Sequence, residues 1–335
     1  MATGLIATRK NGGMIALVPF VTRAVPVDRP WGGTRLAGLG KGAGRIAESW
    51  EIADLSDGVA PHVADPRSRV ASGPLEGLSL REIIERYGSD FLGSAQPTTE
   101  GDFPLLVKLL DAHEHLSVQV HPHAEYVAHH PGARLKTESW YVIAAEPGAV
   151  VFLDVADGVD LTEARAAITA GTVRTILGAH PATPGDFHHL PAGLIHALGA
   201  GTLVAEVQTP SDTTFRVDDW GDVYDREERD LHLLEAAETV LVDPPGAISL
   251  AASPEPGSRE LVVTDHYWMT EHRQTGGLVD LASEPELRVL MVATGVATID
   301  GTAHPIGTTI VVPALVAPTL EPTLDGILIE VGLVR

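Results

Sequence analysis

Glycine and proline divide this chain at short intervals, and the runs between them are short and apolar or alternating. Nine stand out: "LLVKLLD", "LSVQVHP", "WYVIAA", "AVVFLDV", "TLVAEVQT", "TTFRVDD", "RVLMVAT", "TTIVVPA" and "GILIEVG". Many short strands separated by turn residues predict a sandwich or barrel. Helical spacing is confined to three places. "SLREIIERYG" opens with a capping box from Ser79 to Glu82 and stops at Gly88, while "LTEARAAITAG" and "DREERDLHLLEAAETVL" carry helix-favouring residues.

One alternation is unusual. In "LSVQVHP", Leu116, Val118 and Val120 point one way, and Ser117, Gln119 and His121 form a polar row on the other face. Successive members of that row lie roughly 6–7 Å apart, close enough to hold one ligand together. A solvated outer face is the competing explanation. Pro122 cannot donate to a sheet ladder, so the strand ends there and His123 belongs to the following loop.

A second pattern concerns the whole chain. "GDFHHLPAGLIHALGAG" and "GTTIVVPALVAPTLEP" share glycine and proline at the same spacing, Gly185 to Pro191 and Gly307 to Pro313. The first copy continues to His196 and the second has Pro318 at that place. This predicts two related barrels, one with a histidine and one without. The proline- and glycine-rich stretch 243–258 is expected as the linker between a first domain, 14–242, and a second, 259–335. Residues 1–13 are expected as a loose extension.

The formal charge of −22, from 23 Lys and Arg against 45 Asp and Glu, argues against nucleic acid and anionic membranes as partners. An anionic small substrate then needs a local basic pocket. Zero cysteines exclude disulfides, thiolate metal sites and a catalytic thiol. With no secretory pattern at the start and no apolar run long enough to span a bilayer, a cytoplasmic location is expected. Aromatics make up only 5% of residues, so aliphatic side chains and alanine must fill most of the core.

Six of the fifteen histidines, at positions 113, 115, 121, 123, 129 and 130, crowd around the polar row. Gln119 and His121, two residues apart on one face, are the better ligand pair than His121 and His123. The acidic partner is Glu125 or Glu138. Glu125 follows too closely to return to the same point, whereas Glu138 begins a new strand. Histidines with oxygen donors suit zinc or another divalent first-row metal.

Gly185, Pro191, Gly193 and His196 match the second signature of the cupin barrel. "FPLLVKLLDAHEHLSVQVHP", "KTESWYVIAAEPGA", "PGDFHHLPAGLIHALGAG" and "SDTTFRV", preceded by "RPWGGTRLAGLG" and "AESWEIA", resemble type I mannose-6-phosphate isomerases of the shorter bacterial kind. The resemblance covers roughly residues 18–335. It implies an all-β-dominated fold of two jelly-roll-like cupin barrels with a few helices, the C-terminal barrel lacking the metal histidine. It also implies one metal ion per chain, usually zinc, on Gln119, His121, Glu138 and His196. Lys136, Glu206 and Arg216 are implied around that metal, and Ser117 as a phosphate contact.

Isomerising an aldose to its 2-ketose moves a proton between C1 and C2 through an enediol. That step needs a base that returns the proton, and positive charge near O1 and O2. Glu206 is the candidate base, Lys136 the second proton-handling group and Arg216 the stabiliser of the enediolate. Arg35, Lys41 and Arg45 are candidate cations for the phosphate. Two departures from the family pattern, His123-Ala124 after Pro122 and Leu135 before Lys136, fall at the rim. They leave open an isomerase of another sugar, phosphorylated or not, while a sugar-binding cupin without catalysis is the alternative from another class. A buried ion pair between Glu206 and Arg216 is the rival to a catalytic Glu206.

Overall fold

The computed structural model describes residues 16–227, 229–281 and 284–334. The expected N-terminal extension, 1–13, lies outside the described residues. All nine runs read as strands contain strands, and the helix Leu80–Tyr87 has the expected capping box and ends at Gly88. The helix Leu161–Thr169 is capped by Asp160. The third expected helix is shorter than its sequence suggests: only Leu233–Thr239 is helical, and the described residues before it run as an irregular segment.

The strands form three antiparallel sheets. A seven-stranded sheet runs in the order Ile248–Leu250, Phe187–Leu190, Glu138–Ala145, Thr202–Gln208, Leu106–Ala112, Glu48–Ile52 and Val25–Val27. A five-stranded sheet contains Phe215–Asp218, Val118–Val120, His196–Leu198, Val150–Val155 and Leu177–Pro181, in that order. These two enclose the first barrel. The third sheet, eight-stranded, builds the C-terminal barrel around Leu290, Val292, Ile310, Val312 and Leu328.

The sequence and structure differ at the seams. Strand Phe20–Arg23, from the N-terminal segment, pairs with Thr309–Val312 in the C-terminal sheet. The stretch 243–258 contributes strand Ile248–Leu250 to the edge of the seven-stranded sheet. One apolar core unites the barrels, with Leu109, Tyr141, Phe187 and Val207 on one side and Tyr267, Met269, Val289 and Ile329 on the other. Burying this much aliphatic surface is the main force that holds the sheets together.

The unusual alternation has its explanation here. The strand starts at Val118, so Leu116 does not share its face and packs instead with Trp31, Leu110 and Trp140. Val118 and Val120 are sealed beneath the helices Leu161–Thr169 and Leu233–Thr239, against Ile168 and Ala236. The other face looks into the barrel. Both sides of the strand are covered, so the solvated-face alternative fails for Ser117 and His121, which are 5% and 2% exposed.

Candidate metal centre and cleft

His196 opens the strand His196–Leu198 and pairs with Gln119 on one side and Leu153 on the other. The turn that delivers it is fastened to the opposite ligand strand: Gly193 N–H donates to the His121 carbonyl at 2.9 Å. Gly193 has φ +93°, and a Cβ there would meet Leu241 side-chain atoms at 2.8 Å, so glycine is required on both counts. Glu138 comes from the facing sheet, where it pairs with Gln208 and Leu190.

Together these elements bring His121, Glu138 and His196 to one buried point, with ligand atoms all within 4.8 Å of one another. His121 Nε2 is 3.3 Å from Glu138 Oε2 and His196 Nε2 is 3.2 Å from Oε1. Each ring uses its other nitrogen to bond a carbonyl: His121 Nδ1 to Thr213 O at 3.1 Å and His196 Nδ1 to Leu194 O at 2.9 Å. A donating Nδ1–H leaves the Nε2 lone pair free to ligate. Burial, with Lys136 beside it, pushes the His121 imidazole down to about 3, so it is neutral at ordinary pH.

Glu138 is fully buried, and neither oxygen accepts a hydrogen bond of good geometry, although Lys136 Nζ lies 2.7 Å from Oε2. Burial opposes its charge, but the Lys136 ammonium foremost outweighs this and holds its carboxyl well below the usual range. The Gln119 amide is 3.2 Å from His196 Nε2. Two imidazoles, one carboxylate with unused lone pairs and an adjacent amide are a donor set that fits a divalent first-row metal. His123 caps the helix Ala124–His129 through Nδ1, and Glu125 lies in that helix's first turn, so neither belongs to the group.

Beside this point opens a cleft of about 270 Å³, and Ser117, Gln119, Lys136, Glu206 and Arg216 all line it. Lys136 also touches His121 Nε2 at 3.0 Å. Glu206 is not paired with Arg216. Its partner is Lys108, whose Nζ is 3.0 Å from Oε1, while Trp140 Nε1 donates to Oε2 at 3.0 Å. Lys108 is shared with Glu48, 3.5 Å away, and the Trp50 indole donates to Glu48 at 2.8 Å. Burial opposes the charges of Lys108 and Glu48. Even so, the two carboxylates raise the Lys108 ammonium, and Lys108 with Arg29 draws Glu48 down to about 2.

Lys108, Glu48, Arg29 and Arg229 also line the cleft, and none of them was expected from the sequence. A lysine in the middle of the apolar run "LLVKLLD" was the available signal. Arg35, Lys41 and Arg45 do not line it. Arg35 is bound to Asp111 at 2.6 Å, Lys41 to Glu51 at 2.7 Å, and Arg45 reaches the Pro30 carbonyl. Arg29 is held by Glu48, and Arg229 is gripped by both oxygens of Asp219. Arg216 alone among the described cleft cations has no carboxylate within ion-pair distance; it donates to the Asp230 carbonyl at 2.7 Å, and its Nε is buried without a partner. Burial and the neighbouring Arg229 and Arg29 lower its guanidinium below the ordinary value.

Fold and site together define a two-barrel cupin with a histidine–carboxylate metal centre at the side of a cationic cleft. The family model for the phosphomannose isomerase type I catalytic domain matches residues 28–142. The mannose-6-phosphate isomerase ManA of Bacillus subtilis is 36% identical over 233 residues, 67% of this chain and 68% of its own. Among solved structures, a Bacillus subtilis mannose 6-phosphate isomerase superposes with TM-score 0.73 at 26% identity, covering 93% of this chain and 99% of that one. A zinc-bound mannose 6-phosphate isomerase shares the fold with TM-score 0.69 at 18% identity, over 95% of this chain and 100% of the other. The chain belongs to the type I mannose-6-phosphate isomerase family.

Proposed function

We propose that this cleft interconverts mannose 6-phosphate and fructose 6-phosphate by moving one proton between C1 and C2, with Glu206 as the base. The observation that carries this reading is that the cleft lined by Glu206 adjoins the His121–Glu138–His196 group, through Gln119 and Lys136 of its wall. Gln119, His121, Glu138 and His196 would hold a divalent first-row metal ion, zinc foremost. When bound, such an ion polarises the sugar oxygens and favours the charge that they gain in the enediolate.

The chain's own residues supply the rest. Glu206 is 3% exposed, and Oε1 faces only the Lys108 ammonium at 3.0 Å, which leaves it a second lone pair to take the proton and return it. Trp140 fixes the other oxygen and so aims the group. Lys136 stands among the ligand atoms with donors suited to proton transfer at O1 or O2. Arg216 brings positive charge that no carboxylate neutralises, which suits the enediolate. Ser117 offers a hydroxyl to the phosphate, and Arg29 and Arg229 are the nearby cations in place of those expected from sequence. Five basic and three acidic side chains line the cleft, a local reversal of the chain's charge of −22.

Glu206→Gln tests the assignment, since it keeps shape and removes the base. The expected result is a fall in kcat of about 10²–10⁴-fold, with metal content unchanged by elemental analysis. Turnover equal to wild type would remove Glu206 from the role.

A further inference from the structure

We propose that the C-terminal barrel is a working part of this site, through Tyr267 as a positioning residue for Glu138 and Glu206. Tyr267 begins the long strand Tyr267–Leu278 of the C-terminal sheet and is fully buried in the core shared by the barrels. Its hydroxyl is 2.9 Å from Ser139 Oγ and donates to the Val207 carbonyl at 3.1 Å. Ser139 Oγ is also 2.9 Å from His189 Nδ1. Donors and acceptors balance in one direction: His189 N–H to Ser139, Ser139 O–H to Tyr267, Tyr267 O–H to the Val207 carbonyl.

The position of this chain of bonds is what matters. Ser139 and Val207 are register partners, Ser139 follows Glu138, and Val207 follows Glu206. Side chains alternate along a strand, so Glu138 turns to the metal group and Glu206 to the adjoining cleft, while Ser139 turns to the C-terminal barrel. One hydroxyl therefore ties together the two strands at the rung next to the ligand and the base. A second link, Tyr141 O–H to Glu271 at 3.0 Å, lies one pleat further along, with Glu271 held by Arg273 at 3.2 Å.

Apolar packing alone would hold these barrels together without fixing their register to a fraction of an ångström. Buried hydroxyls are costly unless bonded, and their bonds are directional, so this polar chain specifies one alignment. Metal ligands must be held within about 0.5 Å of working geometry. Loss of a group that supports a ligand typically weakens metal binding about 10–100-fold.

The inference rests on Glu138 as a ligand and Glu206 as the base. It is tested on the full chain by zinc competition against a chromogenic chelator, well below the melting temperature, and by kinetics with zinc in excess. Tyr267→Phe is expected to bind zinc about tenfold more weakly and to lose a similar factor in kcat, with KM within twofold of wild type. Tyr141→Phe, which strips from the same core a hydroxyl that bonds Glu271 and bridges no pair of site strands, is expected to stay within twofold in both. Zinc affinity and kcat of Tyr267→Phe equal to wild type would overturn the inference, as would equal losses in the two variants. Should Tyr267→Phe fail to fold, Ser139→Ala removes the same link, and the same two outcomes apply. Wild-type protein that holds no zinc would overturn the ligand reading itself, and the inference with it.

Discussion

Lys108 shows how much one buried side chain can determine. It sits 4% exposed in an apolar strand, between the carboxylates of Glu48 and Glu206. Removing one member of a buried ionic group leaves the others uncompensated, which typically costs about 3–5 kcal/mol. Lys108→Met is therefore expected to lose stability on that scale in denaturant unfolding, together with at least a tenfold fall in kcat; a variant as stable as wild type would contradict the account. Glu48 adds a pH signature. Its folded-state value of about 2 lies below the ordinary 4.5, so its contribution is present above about pH 4.5 and is lost as the pH falls toward 2. The stability gap between wild type and Glu48→Gln should be widest at neutral pH and narrow by pH 3. A gap of constant size would show that its charge does not stabilise the fold.

At the scale of elements, the turn before His196 joins sequence pattern to ligand geometry. Gly193→Ala places a side chain at a left-handed backbone position and against Leu241, while Gly148→Ala, at φ +85° with open space around it, tests the backbone strain alone. Gly193→Ala is expected to cost about 1–3 kcal/mol and to weaken zinc binding, whereas Gly148→Ala should cost less and leave zinc affinity unchanged. Equal zinc affinity in both would separate the turn from the metal site. The strands, the capping box at Ser79 and the Pro191–Gly193 turn were legible in the sequence because local chemistry decides them. Gln119, His121, Glu138 and His196 were legible through spacing and resemblance, and the structure brings them together. What escaped was decided by tertiary context. The segment "DREERDL" has helical composition, yet Arg229 is drawn to Asp219 and the cleft. Lys108 resembled an interruption in a core strand, and its two partners lie on strands distant in sequence. The cations near Arg216 come from separate loops, so no local pattern could have chosen Arg29 and Arg229 over Arg35, Lys41 and Arg45.

The molecule as a whole joins a cleft-bearing barrel to one that closes its back. The N-terminal strand Phe20–Arg23 lies in the C-terminal sheet, and both barrels share one core, so they are expected to unfold together in a single transition. Zinc that binds only the folded chain should raise the melting temperature, adding about 2.7 kcal/mol at a hundredfold excess over its dissociation constant. No shift on adding zinc to chelator-treated protein would contradict the metal centre. The described helices include none long and apolar enough to cross a membrane. The most direct test of the central claim is a coupled assay for fructose 6-phosphate formed from mannose 6-phosphate, run on the protein as purified, after chelation, and after zinc is restored. The account predicts turnover that disappears on chelation and returns with zinc. Absence of fructose 6-phosphate from protein that contains a full complement of metal would contradict it.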